Sequence, residues 1–123
     1  MQAKKTGIII LAAGASSRLG QPKQLLPYAD NTLLHHSIQV AIDSMADMVI
    51  VVLGAHAEQI EKEIDSHLTS IVVNHNWQEG MASSIKCGIN ALIETIPQTE
   101  SAILMLCDQP HVTTTLLNNL ITT

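Results

Sequence analysis

The sequence lacks phenylalanine, and Trp77 and Tyr28 are its only aromatic residues. A core built on aromatic packing is therefore excluded, and aliphatic side chains must interdigitate instead. Charge is also scarce. Charged residues make up 14% of the chain, and the formal net charge is −5. That balance excludes a bulk electrostatic grip on nucleic acid or on an anionic membrane. No apolar run approaches the roughly 20 residues needed to cross a bilayer. The stretch from Ile8 to Ala13 is too short for a signal h-region with a cleavage site and ends in a glycine loop, so a cytoplasmic protein is expected. The two cysteines, Cys87 and Cys107, show neither metal-ligand spacing nor a disulfide framework. Both sit among apolar neighbours, where Cys behaves as a small hydrophobe. His35, His36, His56, His67 and His111 show no metal spacing either and read as surface or capping residues.

What is present suits one domain. A chain of 123 residues with 46% apolar content can bury a real core. Short β-branched runs alternate with amphipathic stretches. Residues 7–12, 48–53, 70–73 and 102–107 read as buried strands. Between them, Leu34, Ile38, Ala41, Ile42 and Met45 fall at helical spacing, with Thr32 as a possible cap. Residues 58–67 read as a short helix with Ile60 and Ile64 inward. Met81, Ile85, Gly88, Ile89 and Leu92 mark another helical face, and Leu116, Leu117, Leu120 and Ile121 begin a last one. The expected fold class is α/β, a three-layer α/β/α Rossmann-like arrangement with a mainly parallel sheet. The methionines fit the core pattern. The last helix stops at Thr123 without a capping signal, so the domain is expected to continue past the chain.

Chemistry concentrates in three places. The first is the segment Leu11-Ala12-Ala13-Gly14-Ala15-Ser16-Ser17-Arg18-Leu19-Gly20-Gln21-Pro22-Lys23-Gln24-Leu25-Leu26-Pro27, directly after the first strand. Ligands of open parallel sheets bind beyond the carboxyl ends of the strands. Small residues let a base or phosphate approach the backbone, and Gly14 can turn amides toward an anion. Of six Lys and Arg in the chain, Arg18 and Lys23 lie here, which suggests a phosphate clamp. The loop is neither a Walker motif, a dinucleotide fingerprint nor a nucleophile elbow. In generic terms it also reads as a plain turn.

The second place is Asp108, at the end of the fourth strand before Gln109 and Pro110. A carboxylate there can hold a hard cation such as Mg²⁺, which takes one or two carboxylates plus substrate phosphates. It also reads as a turn-starting Asp. The third is Asn74-His75-Asn76-Trp77-Gln78-Glu79-Gly80-Met81-Ala82-Ser83-Ser84, which leads into a helix. Its amides and hydroxyls suit an anion or a polar base edge, although Ser83 and Ser84 also read as N-caps and Trp77 as a packing residue.

As strings these segments resemble one family. Ala-Ala-Gly-x-Ser-x-Arg-Leu-Gly-x-x-Lys-x-Leu-Leu-Pro, Asn-x-x-Trp-x-x-Gly-Met-x-x-Ser and Cys-Asp-Gln-Pro follow one another here in the family's order. They resemble the molybdenum cofactor (molybdopterin) cytidylyltransferases, within the molybdopterin-guanine-dinucleotide-synthase-like NTP transferase superfamily. Leu11-Ala12-Ala13-Gly14 is the form typical of cytidylyl rather than guanylyl transfer. The resemblance implies that residues 1–123 are the N-terminal, nucleotide-binding part of a nucleotidyltransferase domain. It implies CTP and a molybdopterin-type phosphate acceptor as partners, with no nucleic acid and no membrane. Leu11, Ala12, Ala13, Gly14 and Ser16 would wrap the nucleotide. Arg18 and Lys23 would contact the triphosphate, Gly80 and Ser84 would lie by base and sugar, and Asp108 would hold Mg²⁺. Family members run well past this length, and their later segment supplies a second metal-binding Asp and most of the acceptor pocket. A sugar- or polyol-phosphate nucleotidyltransferase and a non-catalytic nucleotide-binding fragment remain alternatives.

Overall fold

The computed structural model describes residues 5–13, 27–28, 31–55, 57–62, 69–106 and 113–122. In chain order these form β1 (Lys5–Ala12), β2 (Pro27–Tyr28), β3 (Asn31–Thr32), α1 (Leu33–Ile42), β4 (Met48–Leu53), α2 (Ala57–Glu61), β5 (Ser70–Val73), a 3-10 turn (Trp77–Glu79), α3 (Met81–Thr95), β6 (Thr99–Leu106) and α4 (Thr114–Thr122). Four strands make one parallel sheet in the order β5-β4-β1-β6, while β2 and β3 pair as a small antiparallel ribbon.

Alternation of side chains along β1 divides the interior into two layers. Ile8, Ile10 and Ala12 face one side with Val49, Val51 and Leu53 of β4. There they meet Leu34, Ile38 and Ala41 of α1, Ile60 of α2 and Leu117 of α4. Ile9, Leu11 and Ala13 face the other side with Ile50 and Val52, against Leu92 of α3 and, partly buried, Ile85 and Ile89. The expected α/β/α sandwich is therefore present, with a wholly aliphatic centre. Each fully buried Ile, Leu or Val contributes about 1.5–3 kcal/mol, so these two layers dominate the stability of the fold. Helix α3 comes very close to the sheet: a β-carbon at Gly88 would lie 2.6 Å from Ile9 Cγ2 and 3.0 Å from Val52 Cγ2.

The connections explain where a cleft can form. From β1 the chain steps outward to β4 and then β5, with α1 and α2 on one face. It then returns across the opposite face through α3 to β6, on the far side of β1. The direction of winding thus reverses between β1 and β6, which makes their carboxyl ends the topological switch point of the sheet.

Several expectations need correction. Only β1 and β4 are buried on both faces. β5 is half-buried, and β6 is largely exposed along its length, because both lie at sheet edges. β6 also begins earlier than expected, at Thr99, and β1 at Lys5. The ribbon of β2 and β3 is an addition, since no strand is expected between the first strand and the helix that follows it. Met45 and Met81 are exposed, at 60% and 57%, because the first lies past the end of α1 and the second opens α3. Leu116 and Leu120 of α4 are exposed too, and Leu117 alone of that expected face is fully buried. Ile64 and the rest of residues 63–68 lie outside the described residues. No helix among the described residues is long and apolar enough to cross a membrane.

Candidate active site

The site expected from sequence begins where β1 and β6 end. The two strands are adjacent and parallel, with Leu11 paired to Leu106 in the last register position. The segments leaving both strands therefore start side by side at the same end of the sheet. Gly14, Ser16, Arg18 and Lys23 on the first segment, and Asp108 on the second, lie outside the described residues. Leu11, Ala12 and Ala13 are described, and all three are buried. Their packing is divided: Ala12 enters the layer of α1, whereas Leu11 and Ala13 enter the layer of α3. The Ala13 carbonyl accepts a hydrogen bond from the Ala55 amide at 3.1 Å, which ties the exit of β1 to the exit of β4.

The tryptophan loop lies against this same point. Trp77 packs onto the layer containing Ala13 and Leu11. Gly54 is the spacer. A β-carbon there would stand 2.6 Å from Trp77 Cβ and 2.8 Å from the Ala13 carbonyl oxygen. Two of the three sequence motifs are thus in contact through a residue that the sequence presented only as the end of a strand.

Asn74 organises the rest of the loop from a buried position. Its backbone amide donates to the Leu53 carbonyl at 2.6 Å. Its side-chain Oδ1 accepts from the Asn76 amide at 3.0 Å, while Nδ2 donates to Ser83 Oγ at 2.8 Å and to Ser84 Oγ at 3.0 Å. Ser83 Oγ in turn donates to the Asn76 and Gly80 carbonyls at 3.0 and 3.1 Å. A single amide thereby fixes the turn before the helix and both hydroxyls of its first turn. The sequence motif includes Asn74 as well as the serines, but it gives the asparagine no role. The available signal was an Asn at the end of a strand with two serines one helical entry later.

Gly80 has a backbone reason to be glycine. Its φ of 109° and ψ of −179° lie in a region essentially closed to residues with a β-carbon. Space is not the constraint, since nothing lies within 4 Å of where its β-carbon would be. Ser84, by contrast, is buried at 4% exposure, whereas Met81 and Ala82 in the same turn are exposed. Further along α3, burial pushes the Cys87 thiol above its ordinary range. It packs with the α3 layer, in keeping with a small hydrophobe.

Among the described residues, no three His, Cys, Asp or Glu side chains gather into a metal cage. A hard divalent cation held by one or two carboxylates and by substrate phosphates does not need such a cage. The donor available past β6 is the carboxylate Asp108, whose oxygen chemistry fits Mg²⁺ or Mn²⁺.

Comparison with known proteins agrees with this architecture. The family described as the MobA-like NTP transferase domain matches residues 8–123. The nicotine blue oxidoreductase of Paenarthrobacter nicotinovorans is 36% identical over 92% of this chain and 54% of its own length. The molybdenum cofactor cytidylyltransferase of Escherichia coli (strain K12) is 33% identical over 85% of this chain and 52% of its own. A probable molybdenum cofactor guanylyltransferase of Bacillus mycoides is 28% identical over a similar stretch. The chain spans about half the length of these curated relatives. Among solved structures, Rv0371c of Mycobacterium tuberculosis H37Rv superposes with a TM-score of 0.85 at 37% identity, covering 99% of this chain and 61% of that one. The same protein has also been solved in complex with manganese.

Proposed function

This chain belongs to the MobA-like NTP transferase family, and from that premise we propose that it is the nucleotide-binding part of a cytidylyltransferase acting on the phosphate of molybdopterin. In the reaction, a phosphate oxygen of the acceptor attacks the α-phosphorus of CTP. The bond to the β-phosphate oxygen breaks, and pyrophosphate leaves. No covalent enzyme intermediate is required. Arg18 supplies a planar fork and Lys23 a point charge for the triphosphate oxygens. Asp108 holds a divalent cation, Mg²⁺ or its analogue Mn²⁺. That ion, when bound, neutralises phosphate charge. Gly80 and Ser84 lie by the base and sugar, and the exit of β1 from Leu11 through Gly14 and Ser16 wraps the nucleotide. The protein's contribution is positioning and charge neutralisation.

The observation that carries this reading is the strand order. With β6 beside β1 and Leu106 opposite Leu11, the segment bearing Arg18 and Lys23 and the segment bearing Asp108 start from one switch point. The Leu-Ala-Ala-Gly form and the cytidylyltransferase relative favour CTP. The guanylyltransferase relative makes GTP the competitor. The nicotine blue oxidoreductase relative favours a second reading, in which the same scaffold serves a redox enzyme.

Calorimetric titration with CTP, GTP, ATP and NADPH, each with Mg²⁺, separates these. Tightest binding of CTP supports the cytidylyl reading. Preference for GTP moves the chain to the guanylyl branch, and preference for NADPH favours the redox reading. Pyrophosphate release with a molybdopterin-type acceptor, but not with sugar or polyol phosphates, identifies the acceptor class. CTP binding without release in any mixture marks a non-catalytic nucleotide-binding protein.

A further inference from the structure

We infer that Asn74 is a positioning residue that sets the polarity of hydrogen bonding at the start of α3 and so makes Ser84 a donor toward the bound nucleotide. The inference rests on the nucleotide site proposed above and adds to it a direction for one hydrogen bond.

The orientation of the Asn74 amide is fixed by its surroundings. The Asn76 backbone N–H can only donate, so the amide oxygen must face it, and it does so at 3.0 Å. The NH₂ end is then left facing both serines, at 2.8 and 3.0 Å. An NH₂ group has no acceptor capacity, so Ser83 Oγ and Ser84 Oγ must both accept from it. Each hydroxyl keeps one proton to place elsewhere. Ser83 directs its proton to the Asn76 and Gly80 carbonyls. The Gly80 carbonyl, one turn before Ser84, also accepts the Ser83 amide at 3.2 Å, so it is already engaged twice. Among the described residues, none accepts the Ser84 proton. A buried hydroxyl proton seeks an acceptor. The fitting ligand group is a carbonyl oxygen, ring nitrogen or hydroxyl oxygen of a base or ribose.

The logic makes Asn74→Asp a reversal of polarity in nearly the same volume. A carboxylate accepts only, so it would draw both serine protons inward and leave Ser84 with lone pairs facing the ligand's own acceptor. The test is calorimetric titration of Mg–CTP into the unaltered chain and into Asn74→Asp, Ser84→Ala, Ser83→Ala and the Asn74→Asp/Ser84→Ala double variant. Asn74→Asp and Ser84→Ala are each expected to weaken binding about tenfold, the cost of one unpaired buried polar group. The double variant should bind no more weakly than either single variant, because both act through the same proton. Ser83→Ala should lower the thermal midpoint yet keep affinity within about threefold, since that proton is spent inside the loop.

Losses that multiply in the double variant, or an unchanged affinity in Asn74→Asp, overturn the inference while leaving the nucleotide site standing. Should Asn74→Asp lose its cooperative thermal transition, the contrast between Ser83→Ala and Ser84→Ala decides, and equal losses in the two overturn it. Absence of nucleotide binding by the unaltered chain overturns the site itself, and the inference with it.

Discussion

The Trp77 side chain lies against the bare backbone of Gly54, with only 2.6 Å between its Cβ and the place where a β-carbon at residue 54 would be. The Ala13 carbonyl closes the other side at 2.8 Å, and that carbonyl is itself held by the Ala55 amide. Neither neighbour is the free end of a flexible side chain. Gly54→Ala must therefore push the tryptophan loop away from the exit of β1. The expected cost is about 1–3 kcal/mol, the usual range for overpacking a close-packed site. Trp77 is the sole tryptophan, so its emission reports the displacement directly. A shift of that emission together with a lower thermal midpoint is expected, and a variant with unaltered emission and midpoint would show that the contact is looser than described.

Helix α3 is seated on β1 by a complementary pair. Leu92 is 1% exposed and fills the space above Gly7, where a β-carbon would meet its two methyl carbons at 2.5 and 2.6 Å. Leu92→Ala empties that space and should cost about 2–5 kcal/mol. Gly7→Ala alone crowds the leucine. Combined, the two changes offset each other, because the new methyl at residue 7 occupies part of the volume lost at 92. Denaturant titration of both single variants and the double variant should therefore show a double loss smaller than the sum of the single losses. Strict additivity would mean that the two residues do not share one packing site.

The pattern of what the sequence disclosed follows from how local each signal is. β4 and β5 are legible to the residue, since Met48–Leu53 is an unbroken apolar run and Ser70–Val73 carries three β-branched residues after its serine, the two closed by Gly54 and Asn74. The first three residues of β6, Thr99, Glu100 and Ser101, are not. They are polar because the strand lies at an edge, and edge position is a property of the topology. The pairing of β2 with β3 involves two residues on each side and gives no periodicity to detect. Met45 extends the helical period past the end of α1, and Met81 keeps it at the exposed first position of α3, so both fit the pattern without being buried. At the site, the motif strings located the right segments. The roles of Gly54 and Asn74 stayed hidden, because one consists in a gap filled by a residue 23 positions away, from 54 to 77, and the other in a hydrogen-bond network across the entry to α3.

Cys87 offers a check through pH. Burial raises its thiol above the ordinary range, so the folded state favours the neutral thiol more than the unfolded chain does. The sign follows. This contribution to stability is fully present below the unfolded thiol's pKa and is lost as pH rises through the folded value. In a Cys107→Ser background, alkylation of Cys87 by iodoacetamide at neutral pH is expected to be slower than that of a free thiol. Its rate should keep climbing with pH after the rate for a free thiol has levelled off. A rate profile matching that of the free thiol would mean that the side chain is better solvated than its place on α3, packed toward the sheet, implies.

Lys23→Ala tests the phosphate clamp separately from the fold. Lys23 is one of six Lys and Arg in a chain with a formal charge of −5, so its loss removes a large share of the cations available to a triphosphate. Two cations acting together on one anion each matter more than a solvated surface charge, because the bound phosphates replace water around them. If Lys23 holds the triphosphate, its removal should weaken Mg–CTP binding by about 2–3 kcal/mol, near a hundredfold. Affinity for cytidine, which carries no phosphate, should stay the same. Raising the salt concentration should narrow the gap between the two proteins for CTP, since screening weakens the interaction that only the unaltered chain retains. The thermal midpoint without nucleotide should not move. An equal loss for CTP and cytidine would place Lys23 at the base or in the fold, and an unchanged affinity for both would remove it from the site altogether.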